Sequence, residues 1–290
     1  MQTENAIQIE GLCKNYDSFS LKDVDMVLPG GYIMGLIGEN GAGKSTIIRL
    51  LLGMCRPDKG RALVLGEEST GLSLAAKEHI GVVMDECCFP ENLNAKDVGS
   101  FLRHIYKSWD GARYSQLLKE FSLPGKKAVK DFSRGMKMKL SIAMALSHDS
   151  RLLILDEATS GLDPVVRDEI LDVFLDFVQD ESHSILISSH ILSDLEKICD
   201  YVTFLHKGQV LLSSPKDQLM EAYSVVKCSK DQLAELESGA VVGFRENQFG
   251  VEALMRREAV PEGLTADPAT MEDIMLYHIR GTAGNGKGRI

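Results

Sequence analysis

The sequence predicts an α/β fold built around a largely parallel, covered sheet. Three observations predict it. Apolar segments of strand length alternate with segments of helical periodicity up to about Ser213. Residues 89–150 have helical periodicity and no strand of their own, which marks a helical subdomain inserted into the core. The character of the chain changes after Pro215, where a small α+β appendage is expected. The expected division is therefore a core of residues 1–88 and 151–214, a helical subdomain of residues 89–150, and a C-terminal appendage of residues 215–290. A length of 290 residues allows one large or about two ordinary domains.

Taken in order, Ile7–Leu12 and Leu21–Leu28 read as strands. In the second, Val24, Met26 and Leu28 alternate with polar residues, the period of a half-buried strand. Pro29-Gly30-Gly31 is a turn, and Tyr32–Ile37 is a short buried strand. Gly38-Glu39-Asn40-Gly41-Ala42-Gly43-Lys44-Ser45-Thr46 then fits G-x-x-x-x-G-K-[ST], a phosphate-binding loop. Ile47, Ile48, Leu51 and Leu52 give the following segment the apolar face of a helix, which completes the strand–loop–helix context. The glycines let backbone N–H groups turn inward around phosphate oxygens, and the helix start adds its unpaired N–H groups. Lys44 is expected to reach the β- and γ-phosphates and Ser45 to hold Mg²⁺.

Ala62–Leu65 and Ile80–Met84 are further strands. Asn94 is expected to cap a helix running through Tyr106. Tyr114, Leu117, Leu118 and Phe121 share one face of a second helix, and Ser133 precedes a third that runs to Leu146. Arg151–Leu155 returns to strand and ends in Asp156-Glu157. An acid at that place can hold Mg²⁺, a role that suits Asp156, while Glu157 can orient an attacking water. Val166–Val178 is helical. Its Asp168, Asp172, Asp176 and Asp180 form a like-charge ladder that reads as a solvated face rather than a metal site. Ser184–Ser188 is a strand, Ile191–Cys199 a helix, and Tyr201–Leu205 with Gln209–Ser213 a hairpin around Lys207-Gly208. In the appendage, residues 241–251 suggest two short strands and residues 270–280 a helix. Residues 281–290 are glycine-rich and basic, and disorder is expected there.

Composition narrows the function classes. The chain is 44% hydrophobic and 26% charged, ordinary for a soluble globular protein. Its net charge of −10 argues against a nucleic-acid partner, and none is expected. No run of about 18 apolar residues is present, so a membrane function is expected to come through a second chain, with this one cytosolic. The six cysteines lack metal-ligand spacing and read as reduced thiols.

At Asp131-Phe132-Ser133-Arg134-Gly135-Met136 the sequence resembles the signature of ATP-binding cassette proteins, usually Leu-Ser-Gly-Gly-Gln, with Ser133 and Gly135 as the matches. The order of the other elements agrees with that family. Tyr16 matches its adenine-stacking aromatic residue. Ser160-Gly161-Leu162-Asp163 matches the loop that crosses the dimer interface, and His190 matches the switch histidine that contacts the γ-phosphate. Phe132, Arg134 and Met136 depart from the signature. Ala158 stands where proline is frequent. Asp85 stands where the family has a glutamine that senses Mg²⁺ and the transport domain, with neighbouring Glu86 as the alternative for that role.

The resemblance covers Ile7 to Ser213. It implies a RecA-like P-loop core with an antiparallel β subdomain and an ATPase that uses ATP and Mg²⁺. Ser133 and Gly135 would face the nucleotide held by Lys44 of a second copy or of a homologous ATPase. The implied partner is a polytopic transmembrane subunit, which places the chain at the cytoplasmic face of the cell membrane. Residues 85–93 and Met136-Lys137-Met138-Lys139 resemble bacterial exporters of peptide toxins, such as phenol-soluble modulins, or of antibiotics. The rival readings are a soluble cassette ATPase acting on ribosomes or DNA, and a P-loop GTPase or kinase. The first typically carries two cassettes or a long insertion. The second would lack the signature and the switch histidine, and no [NT]-K-x-D motif is present.

Overall fold

A computed structural model describes residues 5–85, 89–90, 92–236, 239–248 and 250–284. They form two compact units, residues 1–210 and 211–290. In the first, β1 (Asn5–Tyr16), β2 (Phe19–Pro29) and β3 (Ile33–Ile37) precede α1 (Lys44–Leu51). Next come β4 (Lys59–Val64), β5 (Glu67–Glu68), α2 (Leu74–Glu78) and β6 (Ile80–Val83). Three helices follow, α3 (Ala95–Leu102), α4 (Gly111–Glu120) and α5 (Arg134–Ala145). The chain then alternates through β7 (Leu152–Asp156), α6 (Pro164–Phe177), β8 (Ser184–Ser189), α7 (Leu192–Ile198) and β9 (Tyr201–His206), and β10 (Gln209–Pro215) runs across the boundary at residue 210.

The strands form two sheets. The larger has the order β10-β9-β3-β8-β7-β6, and its pairings from β9 to β6 are parallel. Every residue of β3, β7 and β8 is buried, as strands covered on both faces require. The second sheet, β2-β1-β4-β5, is antiparallel. One apolar cluster joins the two. It holds Ile7 and Ile9 of β1, Leu28 of β2, Ile47, Ile48 and Leu51 of α1, and Met34, Ile154 and Leu186 of the parallel strands. The α/β class with a parallel core sheet and an antiparallel layer is the one the sequence predicts.

Differences in element length have local causes. β1 runs well past Leu12, because its pairing with β2 continues to Tyr16 through register shifts that break the side-chain alternation. Asn94 caps α3 in a reciprocal capping box with Asp97, as expected, but the helix stops at Leu102 rather than Tyr106. There the backbone tightens, with His104 N donating to Phe101 O at 3.0 Å and Ile105 N to Leu102 O at 2.9 Å. Ser133 caps α5, its Oγ accepting from Met136 N. The Lys207-Gly208 turn has φ of 47° and 78°, the two positive values of a tight hairpin turn. Gly208 N donates to Ala42 O at 3.0 Å, so this turn supports the phosphate loop.

The second unit contains α8 (Lys216–Ala222), β11 (Tyr223–Cys228), α9 (Lys230–Glu235), β12 (Val241–Asn247), β13 (Gly250–Arg256), β14 (Thr265–Pro268) and α10 (Met271–Gly284). Its sheet, β12-β13-β11-β14, is antiparallel, with Val226 and Met255 in its core. The expected pair of strands is therefore half of a sheet. β11 and β14 escaped the sequence reading, and β14 is exposed along its whole length and owes its place to pairing with β11. Thr270 and Asp273 bond reciprocally at the start of α10. The helix continues through residues 281–284, where disorder was expected; residues 285–290 lie outside the described residues.

Candidate nucleotide-binding site

The buried strand β3 delivers the chain to Gly38, where a Cβ would stand 2.5 Å from Leu205 O, so only glycine fits. Gly41 and Gly43 adopt φ of 82° and 114°. No side chain caps the start of α1, which leaves its first backbone N–H groups to a ligand. Lys44, only 6% exposed, folds back over the loop. Its Nζ donates to Gly38 O at 2.7 Å and to Glu39 O at 3.4 Å, and pairs with Glu157 Oε1 at 3.1 Å. Ser45 is exposed beside it, and Ala42 is buried against the Lys207-Gly208 turn.

β7 ends with Asp156, which is 4% exposed. Glu157 follows in a left-handed conformation at φ 52°, rare for a non-glycine residue and imposed by the turn out of the strand. Parallel pairing sets Ser188 opposite Asp156. Ser188 Oγ donates to Asp156 Oδ1 at 2.6 Å, while Glu157 N donates to Ser188 O and Oγ, each at 3.1 Å. His190 Nδ1 lies 2.7 Å from Glu157 Oε2. The Glu157 carboxylate thus bridges Lys44 and His190, and Ser188 ties its backbone to Asp156. Sequence reading had missed Ser188; the one available signal was a small polar residue closing a strand next to β7.

The remaining predicted residues gather elsewhere. Ser133 spends its hydroxyl on capping α5, and a Cβ on Gly135 would stand 3.7 Å from Val166 and 3.8 Å from Leu162. Ser160 N donates to Glu157 O at 3.0 Å. Gly161 turns the loop at φ 67°, and Asp163 caps α6 by accepting from Val166 N at 3.1 Å. Asp85, at the end of β6, accepts from Arg134 Nη2 at 2.6 Å. Its alternative, Glu86, lies outside the described residues. Tyr16 closes β1 with its ring 46% exposed, and Lys14 Nζ stands 5.7 Å from the ring centroid. Partial desolvation and the Cys55 thiol hold the Tyr16 phenol above its ordinary pKa. Among the described residues, no hydrogen bond or ion pair joins Ser133 or Gly135 to the phosphate loop of the same chain. None of the thiols of Cys13, Cys55, Cys199 and Cys228 is in a disulfide.

Residues 21–160 match the family model described as ABC transporter. The chain is 36% identical over 217 residues to the lantibiotic transport ATP-binding protein SrtF of Streptococcus pyogenes, covering 73% of this chain and 91% of that protein. The chain belongs to the ABC transporter family. The bacitracin transport ATP-binding protein BcrA of Bacillus licheniformis is also 36% identical, over 73% of this chain and 71% of its own length. Among solved structures, an ATP-binding subunit of an ABC transporter superposes with a TM-score of 0.65 at 28% identity, covering 74% of this chain and 91% of that one. The family match takes in the phosphate loop, the signature turn and the Asp156-Glu157 strand end. As an ABC ATPase, the chain binds and hydrolyses ATP, and the geometry around Lys44 and Glu157 is suited to that chemistry.

Proposed function

We propose that the chain powers export of a peptide or antibiotic-like cargo, dimerising around two ATP molecules and acting through a separate polytopic membrane subunit. The observation that carries this reading is the division of the site. Lys44, Glu157 and His190 are joined in one cluster, whereas, among the described residues, no bond joins Ser133 or Gly135 to it. A second copy, or a homologous ATPase, supplies the missing signature turn. The names of the two relatives, transporters of a lantibiotic and of bacitracin, support the cargo class. Among the described residues no helix is long and apolar enough to cross a membrane, which supports a separate membrane subunit. The chain then works at the cytoplasmic face of the cell membrane.

The residues present fit a magnesium nucleotide. The phosphate loop offers backbone N–H groups and the Lys44 ammonium, and Tyr16 offers an exposed ring to an adenine. Mg²⁺ beside phosphates needs only one or two protein groups, which Ser45 and Asp156 supply; when bound it neutralises charge developing on the phosphoryl oxygens. Lys44 exchanges its bond to Glu157 for phosphate oxygens. Glu157, released from Lys44, orients the attacking water and accepts its proton, and His190 fixes the Glu157 carboxylate and faces the γ-phosphate. Co-purification from the native membrane tests the export reading. A polytopic membrane chain is the expected companion; ribosomes in its place would overturn the assignment.

A further inference from the structure

The two positions at which the chain carries a charge where its family resemblance leads one to expect none, Asp85 and Arg134, touch each other. Arg134 Nη2 stands 2.6 Å from Asp85 Oδ1 across 49 residues of sequence. The same guanidinium lies on Gly161: a Cβ there would stand 2.8 Å from Nη1 and 3.0 Å from Cζ. Arg134 is the first residue of α5, between Ser133 and Gly135. One side chain therefore spans three loops, those after β6 and β7 and the signature turn itself. Both partners are half exposed, so the pair adds little to folding stability. Its geometry is another matter, because Gly161 at φ 67° admits the guanidinium where another residue would exclude it.

We propose that Arg134 is a positioning residue that neutralises Asp85 and holds the Ser133–Gly135 turn against the Gly161 loop. Asp85 then serves the signature turn and not a metal ion. Left unpaired, Asp85 would add a negative charge beside the signature turn, and Arg134 would be free to leave the Gly161 loop. Asp85 and Arg134 also line a cavity of about 450 Å³ with Met84, Phe132, Lys137 and Met138, so the pair is reachable from outside the chain. The role rests on the ATPase reading of Lys44 and Glu157, since what the pair positions is one half of that composite site.

A mutant cycle in the full-length protein tests the proposal, with steady-state ATPase, a Mg²⁺ titration, nucleotide affinity by calorimetry and melting temperature measured for each variant. Asp85→Asn and Arg134→Gln should each lower kcat about tenfold, the scale of a small misplacement at a composite site. The double variant should lose no more than either single one. Nucleotide affinity of the isolated chain, the Mg²⁺ midpoint and the melting temperature should hold. The conservative Arg134→Lys, which keeps a cation beside Asp85, should recover part of the turnover, whereas the exchanged pair, Asp85→Arg with Arg134→Asp, should not, because a carboxylate at the start of α5 cannot take the guanidinium's place on Gly161. Additive losses, or a Mg²⁺ midpoint shifted by Asp85→Asn but not by Arg134→Gln, would overturn it. Glu157→Gln, run alongside, reports separately on the ATPase reading: turnover surviving that change counts against Glu157, while the Asp85 and Arg134 cycle still reads the pair.

Discussion

Glu157 stands at φ 52° with its carboxylate between Lys44 and His190, and each of those facts constrains the others. Its backbone is pinned by Ser188, which holds the strained turn in place and aims the carboxylate at the phosphate loop. Gln at that position keeps the shape and loses the charge and the basicity. Lys44 retains its bond to Gly38 O at 2.7 Å, so the loop stays formed. Glu157→Gln is therefore expected to cut turnover ~10²-fold or more while leaving nucleotide affinity intact. Single-turnover hydrolysis and calorimetry check the two halves of that statement; undiminished turnover would remove Glu157 from the role of base.

At the scale of elements, the helical segment is anchored by polar contacts as well as by its apolar faces. Tyr114 of α4 donates to Ala95 O at 2.7 Å, and its ring lies on Gly99 of α3, where a Cβ would meet it at 2.5 Å. His148, after α5, is 8% exposed and stacks on Tyr106 at 3.9 Å between ring centroids. Its Nδ1 lies 2.9 Å from Glu78 O. Burial disfavours its charged form and holds its pKa below the ordinary histidine value. In the range between the two values the unfolded chain binds the extra proton and the folded chain does not. Stability is thus full above the unfolded pKa of about 6.5 and declines as pH falls below it. The carboxylates held low, such as Asp58 and Glu67, lose their contribution only below about pH 4. The melting temperature should accordingly fall as pH drops below about 6.5 in the wild type, and the slope should flatten in His148→Gln, with His278, whose charged form burial also disfavours, contributing the remainder. An unchanged slope in that variant would move the acid sensitivity to another group.

For the whole molecule, the consequence is association. One chain carries a single phosphate loop and a single signature turn, and among the described residues no bond joins the two. With hydrolysis blocked by Glu157→Gln, ATP should therefore hold two chains together. Light scattering is expected to read twice the mass of one 31.9 kDa chain with ATP and a single mass without it. A chain that stays single at saturating ATP would sink the shared site. The second unit, residues 211–290, has its own antiparallel sheet and core, with Val226 and Met255 inside.

The sequence by itself determined what local rules govern. The phosphate loop was legible because glycines at positive φ and a lysine at a helix start are backbone requirements that no distant residue alters. The parallel core was legible because strands covered on both faces must be apolar throughout, as β3, β7 and β8 are. The caps at Asn94 and Ser133 belong to the same class, since each bonds within three residues of itself, whereas the cap that Asp163 gives α6 emerges only in the structure. Only the tertiary structure decided which side chains meet. Ser188 reaches Glu157 across 31 residues and His190 reaches it across 33, distances over which no spacing rule acts. β14 pairs with β11 although its sequence has no apolar face to announce a strand. Asp85 and Arg134, two separate irregularities in the sequence, become one ion pair because folding brings the end of β6 to the start of α5.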